Sequence, residues 1–382
     1  MIWSIINIVF IYMAISIAYL FVFALFSFNG IRKRYPNSLK KHCFLVLIPS
    51  YKDDSVIIES VNCALNQDYP FDKFDIVVIS DSMDSSTNDS LRELPITLFE
   101  INPEQSSKAV ALNYAIDNHE RRDYDIVTIL DSDNIVCCNY LTEINKAYQS
   151  GALAIQAHRT AKNTNNSMAV LDAISEEINN SIFRRGHVNM GLSSALIGSG
   201  MAFDYLWFTK NVKSLTTAGE DKELELLLLK EGIFIDFLDH VLVYDHKTNM
   251  ESVFFNQRKR WLGAQFSSLY SGLKDLPKSL INLRVDYIDK VFQWMLLPRI
   301  LILGICGLMA FFITIISWKE SLRWWILVAI LLFVFALAVP DNLVTKTNIR
   351  ALKKLPIIFI LMLLNLFRLR NAGNKFIHTK KG

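Results

Sequence analysis

An α/β domain built on a mostly parallel sheet with helices on both faces, flanked at each chain end by transmembrane or interfacial helices, is the expectation this sequence raises. Three observations carry it. Between residues 43 and 130, short continuous apolar runs alternate with helix-spaced segments, as in parallel strands buried on both faces. One such run ends abruptly in two carboxylates, Asp131 and Asp133, one residue apart. The charge-free stretches long enough to enter a bilayer lie near the two ends of the chain, not in its middle.

From Ile2 to Phe28 no residue is charged, and about 20 apolar residues suffice to cross a bilayer, so residues 1–30 read as a transmembrane helix. Arg32, Lys33, Arg34, Lys40 and Lys41 follow it, which places the start of the main domain in the cytoplasm. Positive charges after the apolar run, instead of before it, argue against a cleaved signal peptide.

Residues 40–272 read as the main α/β domain. Cys43 to Ser50 predicts a buried strand, stopped at Pro49. A helix follows over Asp54 to Asn66, with Val56, Ile57, Ser60, Val61, Ala64 and Leu65 at helical spacing behind Asp53 and Asp54. Asp75 to Ser80 is a second strand leading into a polar loop, DSMDSST. Ile96 to Ile101 is a third, Lys108 to Asn118 a helix, and Ile126 to Leu130 the strand that delivers the carboxylates. Beyond it, Ala152 to Ala157 reads as a strand and Met168 to Phe183 as a helix carrying Glu176 and Glu177. Thr216 or Thr217 can cap a helix running to Gly232, with Glu220 and Asp221 in its first turn and Leu224, Leu227 and Leu228 on its buried face. Another helix is expected from Glu251 to Gly272.

The rest returns to lipid. Residues 273–299 are mixed and suit an amphipathic segment lying along the membrane. Residues 300–340 read as a transmembrane hairpin, Ile300 to Trp318 and Trp324 to Val339, with Lys319, Glu320 and Arg323 in the outer turn. In residues 341–382, the apolar run Leu355 to Phe367 is short of a span. Lys346, Arg350, Lys353 and Lys354 precede it, and Arg368, Arg370, Lys375, Lys380 and Lys381 follow, so it reads as a helix in the cytoplasmic interface.

In open parallel α/β sheets, ligands bind beyond the carboxyl ends of the strands, where Tyr51, Asp81, Asp131 and Asp133 all fall. Every second side chain of a strand points the same way, so Asp131 and Asp133 can converge on a hard cation that completes its shell with phosphate oxygens. The same pair also suits a solvated loop. Asp81 is equally a turn-forming carboxylate, and Tyr51 an ordinary half-buried aromatic. Gly198 and Gly200 around Ser199 let backbone approach a ligand closely, or simply make a turn. Glu220 and Asp221 would be held ionised at a helix N-terminus, as a general base requires, or serve only that terminus. Gln257, Arg260 and Trp261 share one helix face, offering a guanidinium fork to a diphosphate and an indole to a sugar ring, or a basic face to headgroups.

A net charge of +3 on 382 residues is too small to indicate nucleic acid as a partner. Hydrophobic residues make up 52% of the chain and the mean hydropathy is +0.26, which fits an association with membrane lipids. The basic excess lies beside the apolar segments, where anionic headgroups attract it. Cys43, Cys63, Cys137, Cys138 and Cys306 form no C-x-x-C pair and are odd in number, indicating neither a zinc site nor a disulfide framework.

In order, Pro49-x-Tyr51, Asp81, SKAVALN at 107–113, DSD, GSG, GED and QRKRW resemble the membrane-bound family-2 glycosyltransferases of GT-A (Rossmann-like) fold, the group of cellulose, chitin and hyaluronan synthases. The resemblance runs from about Cys43 to Tyr270. It implies that Tyr51, Asp53 and Asp81 contact the uridine of a nucleotide-sugar and Lys108 the donor. Asp133, helped by Asp131, would hold Mg²⁺ or Mn²⁺ on the diphosphate, and Asp221 would be the base. Gln257 and Arg260 would hold the diphosphate, with Trp261, Glu220, Gly198, Ser199 and Gly200 around the acceptor. The implied reaction is inverting transfer to a saccharide or lipid-linked saccharide, giving a β-glycosidic bond at the cytoplasmic membrane. Departures from the common pattern are Asp53 or Asp54 in place of a glutamate, a shorter loop after Asp81, and glycine first in GED. There are also fewer spanning helices than polymer synthases possess, so export would call for a partner or an oligomer. Two alternatives remain: transfer to a polyprenyl-phosphate carrier, against which a sugar-stacking Trp261 counts, and a catalytically silent nucleotide-sugar-binding subunit, against which the intact Asp131, Asp133, Asp221 and Arg260 count.

Overall fold

A computed structural model of the chain describes residues 2–28, 35–120, 123–215, 219–248 and 251–367. Its described strands are β1 (Phe44–Tyr51), β2 (Phe74–Asp81), β3 (Thr97–Ile101), β4 (Ile126–Ile129), β5 (Ile135–Val136), β6 (Ala154–Ala161), β7 (Met201–Asp204) and β8 (Ile235–Asp245). They form one sheet in the order β3-β2-β1-β4-β7-β6-β8-β5. The half β3-β2-β1-β4 is parallel throughout, β7 runs antiparallel between β4 and β6, and β6 pairs parallel with β8. Successive neighbours of β1 lie on opposite sides of it, so a crevice opens between the carboxyl ends of β1 and β4.

Alternation along β1 shows why the sheet is covered on both faces. Phe44, Val46 and Ile48 pack with Ile57 and Val61 of α2 (Ile57–Leu65) and with Leu141 and Ile144 of α5 (Tyr140–Gln149). Leu45 and Leu47 point the other way, onto Leu112 and Ala115 of α4 (Lys108–Asn118). The loop expected after Asp81 instead contains α3 (Ser85–Arg92). Only Asn88 and Leu91 of this helix are buried, so it has no apolar stripe to betray it. It is held by polar contacts: Ser80 Oγ donates to Asn88 Oδ1 (2.7 Å) and Asn88 Nδ2 to Glu100 Oε2 (3.0 Å).

The helix expected to reach Phe183 is α6 (Ser167–Asn179), continued by a π turn over Asn180–Gly186 and the short α7 (His187–Asn189). Next come α8 (Tyr205–Asn211), α9 (Glu220–Glu231), α10 (Glu251–Ile281) and α11 (Val285–Met295). The α10 helix outruns its expected end at Gly272, and α11 buries Tyr287, Val291 and Trp294 against Leu226 and Leu229 of α9. The caps expected at Thr216 or Thr217, the basic residues 32–34 and the tail from 368 lie outside the described residues.

Among the described residues three helices are long and apolar enough to cross a membrane: α1 (Ile2–Phe28), α12 (Arg299–Ile316) and α13 (Trp318–Ala338). The outer turn expected at Lys319, Glu320 and Arg323 is instead the start of α13. Ser317 and Glu320 are spaced as a capping box, which starts the helix before the charges rather than after them. Leu20 and Phe23 of α1, Ile178 of α6, Ile182, Ile302 of α12 and Trp324 of α13 share one core, so the apolar helices are packed onto the α/β domain. Beyond α13, α14 (Lys346–Ala351) and α15 (Leu355–Phe367) pack on α6, α10 and α12 through Ala351, Ile358 and Met362.

Candidate active site

At the crevice, β4 ends in a turn closed by Asn134, whose backbone N–H donates to Asp131 O (3.0 Å) while its side-chain Oδ1 accepts from Asp131 N (3.0 Å). This turn brings Asp131 and Asp133 together. A third carboxylate, Asp245 at the end of β8, joins them: ligand oxygens of the three lie within 4.8 Å of one another. Three hard oxygen donors with room for phosphate oxygens fit Mg²⁺ or Mn²⁺. Asp133 is buried, and its Oδ2 accepts from His246 N at 3.3 Å.

Cations offset part of the surrounding negative charge. The β6–β8 register breaks between Ala157 and His158, and just past the break the Arg159 guanidinium lies 4.0 Å from Asp131 and 3.9 Å from Asp245. Burial works against that cation, but Glu176, Asp245 and Asp131 hold it well above its ordinary range. Lys247 donates to Asp245 (2.8 Å) and pairs with Glu176.

Tyr51 and Asp81 occupy neighbouring strand ends in register. The residues that follow them, Lys52 and Ser82, take positive φ (53° and 55°), a strained conformation for side-chain-bearing residues that recurs at ligand sites. Asp81 and Asp53 are buried; Ser82 Oγ donates to the first (2.9 Å) and Ser132 Oγ to the second. The loop between Asp131 and Asp133 is thereby fastened to the end of β1.

Lys108 begins α4 and gathers three groups. Its Nζ donates to Asp131 Oδ1 and to the Gly198 carbonyl, each at 2.5 Å, and lies 3.8 Å from Glu220 Oε1. Gly198 has φ of +85°, where a side chain is disfavoured. Burial pushes the Glu220 carboxyl up to about 7; Lys108 opposes that shift and Asp221 adds to it.

A single cavity of about 990 Å³ is lined by Tyr51, Asp53, Asp81, Lys108, Asp131, Gly198, Glu220, Asp221, Gln257, Arg260 and Trp261. Acids and bases scattered across the sequence therefore face one space. Asp133 reaches it only through the carboxylate cluster. Ser199 and Gly200 do not line it: Ser199 is fully buried, its carbonyl accepting from Gln156 Nε2 (2.9 Å), and Gly200 lies against Val243. On α10, the Arg258 guanidinium stacks 4.7 Å from the Trp261 ring centre.

Asp245, Arg159 and Arg258 belong to the site although they are not among the residues expected there from the sequence. Asp245 carried the same signal as Asp131, since Val241 to Tyr244 is an apolar-rich run ending in a carboxylate. Arg159 had no signal, because a bulge aims it.

Residues 42–264 match the family model described as "Glycosyltransferase like family 2". Among solved structures, the mannosyltransferase PcManGT from Pyrobaculum calidifontis, in complex with GDP-Man and Mn²⁺, has a similar fold: 16% identity, TM-score 0.53, covering 88% of this chain and 98% of that one. TarS 1–349 of S. aureus, in complex with UDP-GlcNAc, aligns at 14% identity and TM-score 0.45, covering 86% of this chain and 91% of that one. A search of curated proteins finds no match. The α/β domain is of the GT-A type. Because the family match takes in every described strand of the sheet together with all three clustered carboxylates, the chain belongs to glycosyltransferase family 2.

Proposed function

We propose that this family-2 enzyme is an integral membrane protein that moves a hexosyl or N-acetylhexosaminyl group from a UDP-sugar to a saccharide hydroxyl at the cytoplasmic membrane face, with inversion. The observation that carries the reading is the shared cavity: acids for a metal-diphosphate, first-turn acids of α9 and the Gln257-Arg260-Trp261 face all open onto it. The apolar hairpin at 300–340 would span the bilayer, with residues 273–299 and 341–382 along its inner surface.

Asp131, Asp133 and Asp245 would hold Mg²⁺ or Mn²⁺, which when bound neutralises charge on the departing diphosphate. Tyr51, Asp53 and Asp81 position the nucleoside, and Lys108 fixes the rim by bridging Asp131 and Gly198. Asp221 takes the proton of the acceptor hydroxyl as that oxygen bonds to the anomeric carbon. The bond from that carbon to the diphosphate breaks on the opposite face and its electron pair leaves with UDP, so an α-linked donor yields a β-linked product. Gln257 and Arg260 steady the diphosphate, and Trp261 carries the acceptor ring. Glu220, protonated through part of the neutral range, suits donating a hydrogen bond to the acceptor.

The test is nucleotide release from UDP- and GDP-sugars by detergent-solubilised protein, with and without Mn²⁺. Asp221→Asn should bind donor yet lose transfer, while Asp133→Asn and Asp245→Asn should each weaken Mn²⁺-dependent donor binding. Equal transfer by wild type and Asp221→Asn would remove the base assignment.

A further inference from the structure

The cavity does not stop at the polar groups. From Trp261 it continues past Arg258 and Arg299 into a wall of Leu303 on α12, Phe335 and Ala336 on α13, and Met362 on α15. At about 1.5 Å of rise per residue, these α12 and α13 positions lie within about 10 Å of the helix ends next to the α/β domain. The cavity therefore enters the layer formed by the apolar helices. Val344 and Ile349 line it too, yet are 56% and 52% exposed, which marks a mouth on the connection between α13 and α15.

Where the polar and aliphatic parts meet, three guanidiniums gather. Arg299 is repelled by both Arg258 and Arg184; Arg258 already engages Asp172, and the charge of Arg184 is offset by Glu176, Glu225 and Glu177. Arg299 donates to Ser175 O (2.9 Å) and Ser175 Oγ (3.2 Å) through one terminal nitrogen. Its other terminal nitrogen, Nη1, is buried without a hydrogen-bond partner among the described residues, as is Arg258 Nε. Buried guanidinium donors left unpaired beside like charge are stabilised by an anion. An aliphatic channel behind them suits a hydrocarbon chain and disfavours a sugar chain, whose hydroxyls would be desolvated there.

We propose that the acceptor saccharide is delivered on a lipid phosphate or diphosphate. The phosphate sits on Arg258 and Arg299, the chain enters at Val344 and Ile349 and lies among α12, α13 and α15, and the sugar reaches Trp261 and Asp221. This rests on reading the cavity as a glycosyl-transfer site.

The test measures binding of geranylgeranyl phosphate, geranylgeraniol and inorganic phosphate to the full-length detergent-solubilised protein by native mass spectrometry, with UDP-sugar binding measured separately. The lipid phosphate should bind at least about tenfold tighter than the alcohol, as expected when charge-assisted hydrogen bonds are lost. Arg299→Gln should remove most of that difference and Arg299→Lys should keep part of it. Ala336→Trp, which fills the channel, should abolish lipid binding and leave UDP-sugar binding unchanged. Equal binding of phosphate and alcohol would overturn the proposal, as would inorganic phosphate matching the lipid phosphate or an unaffected Ala336→Trp. Transfer to a soluble oligosaccharide without lipid binding would defeat this inference alone. Lipid binding in a protein that transfers no sugar would defeat the functional reading alone.

Discussion

His158 is held between two carboxylates behind the active site. Its Nδ1 lies 3.0 Å from Asp239 Oδ1 and its Nε2 3.1 Å from Glu177 Oε2. Burial disfavours its charge, but the bonds to Asp239 and Glu177 prevail and raise it from 6.5 to about 9. Both carboxylates stay below their usual values despite burial, through bonds to His158 and, for Asp239, to Arg185. A raised histidine contributes stability that is complete below pH 6.5 and lost as pH rises through about 9; the depressed acids contribute stability lost only as pH falls through the carboxylate range. The thermal midpoint of the solubilised protein should therefore fall between pH 6.5 and 9, and His158→Gln should flatten that fall. Parallel pH curves for the two proteins would rule this contribution out. At this scale the sequence was partly legible. Asp131 and Asp221 stand out because each begins or ends a periodic segment, whereas Arg159 owes its place to a register break between two strands distant in sequence.

Among the elements, the π turn after α6 is the joint between the α/β domain and α1. A Cβ on Gly186 would stand 2.2 Å from the Phe23 carbonyl oxygen, so only glycine lets the two backbones approach this closely. The neighbouring His187 ring stacks on Phe23 at 3.7 Å and bonds Tyr19 at 2.9 Å. Gly186→Ala should displace α1 or the turn and cost about 2 kcal/mol, in the range of overpacked core sites. Gly307→Ala, where an added Cβ meets nothing within 4 Å, should be tolerated. Comparing the two thermal midpoints checks this; similar midpoints would mean that the joint is looser than its geometry. Strands with both faces buried were readable from sequence because their apolar runs are continuous. Helix α3 was not, since side-chain hydrogen bonds hold it in place of an apolar stripe.

For the molecule as a whole, the apolar helices and the catalytic domain form one body. Ile178 and Ile182 of the domain share a core with Leu20 and Phe23 of α1 and with Trp324 of α13. Deleting residues 2–28 would expose that surface. The shortened chain should aggregate or remain bound to membranes, read by size-exclusion chromatography without detergent, and a monodisperse folded product would show that α1 is dispensable. The order of apolar runs and strand-end acids by itself determined the α/β sheet, the family resemblance and the apolar helices at either end, because periodicity and charge-free length are local properties of a chain. Only the tertiary structure decided that Asp245 completes the carboxylate cluster, that Ser199 and Gly200 lie behind the cavity wall, and that the same cavity runs from the acids down between the membrane-type helices. Those outcomes depend on which distant strand ends and helix faces are brought together, and no local pattern records that.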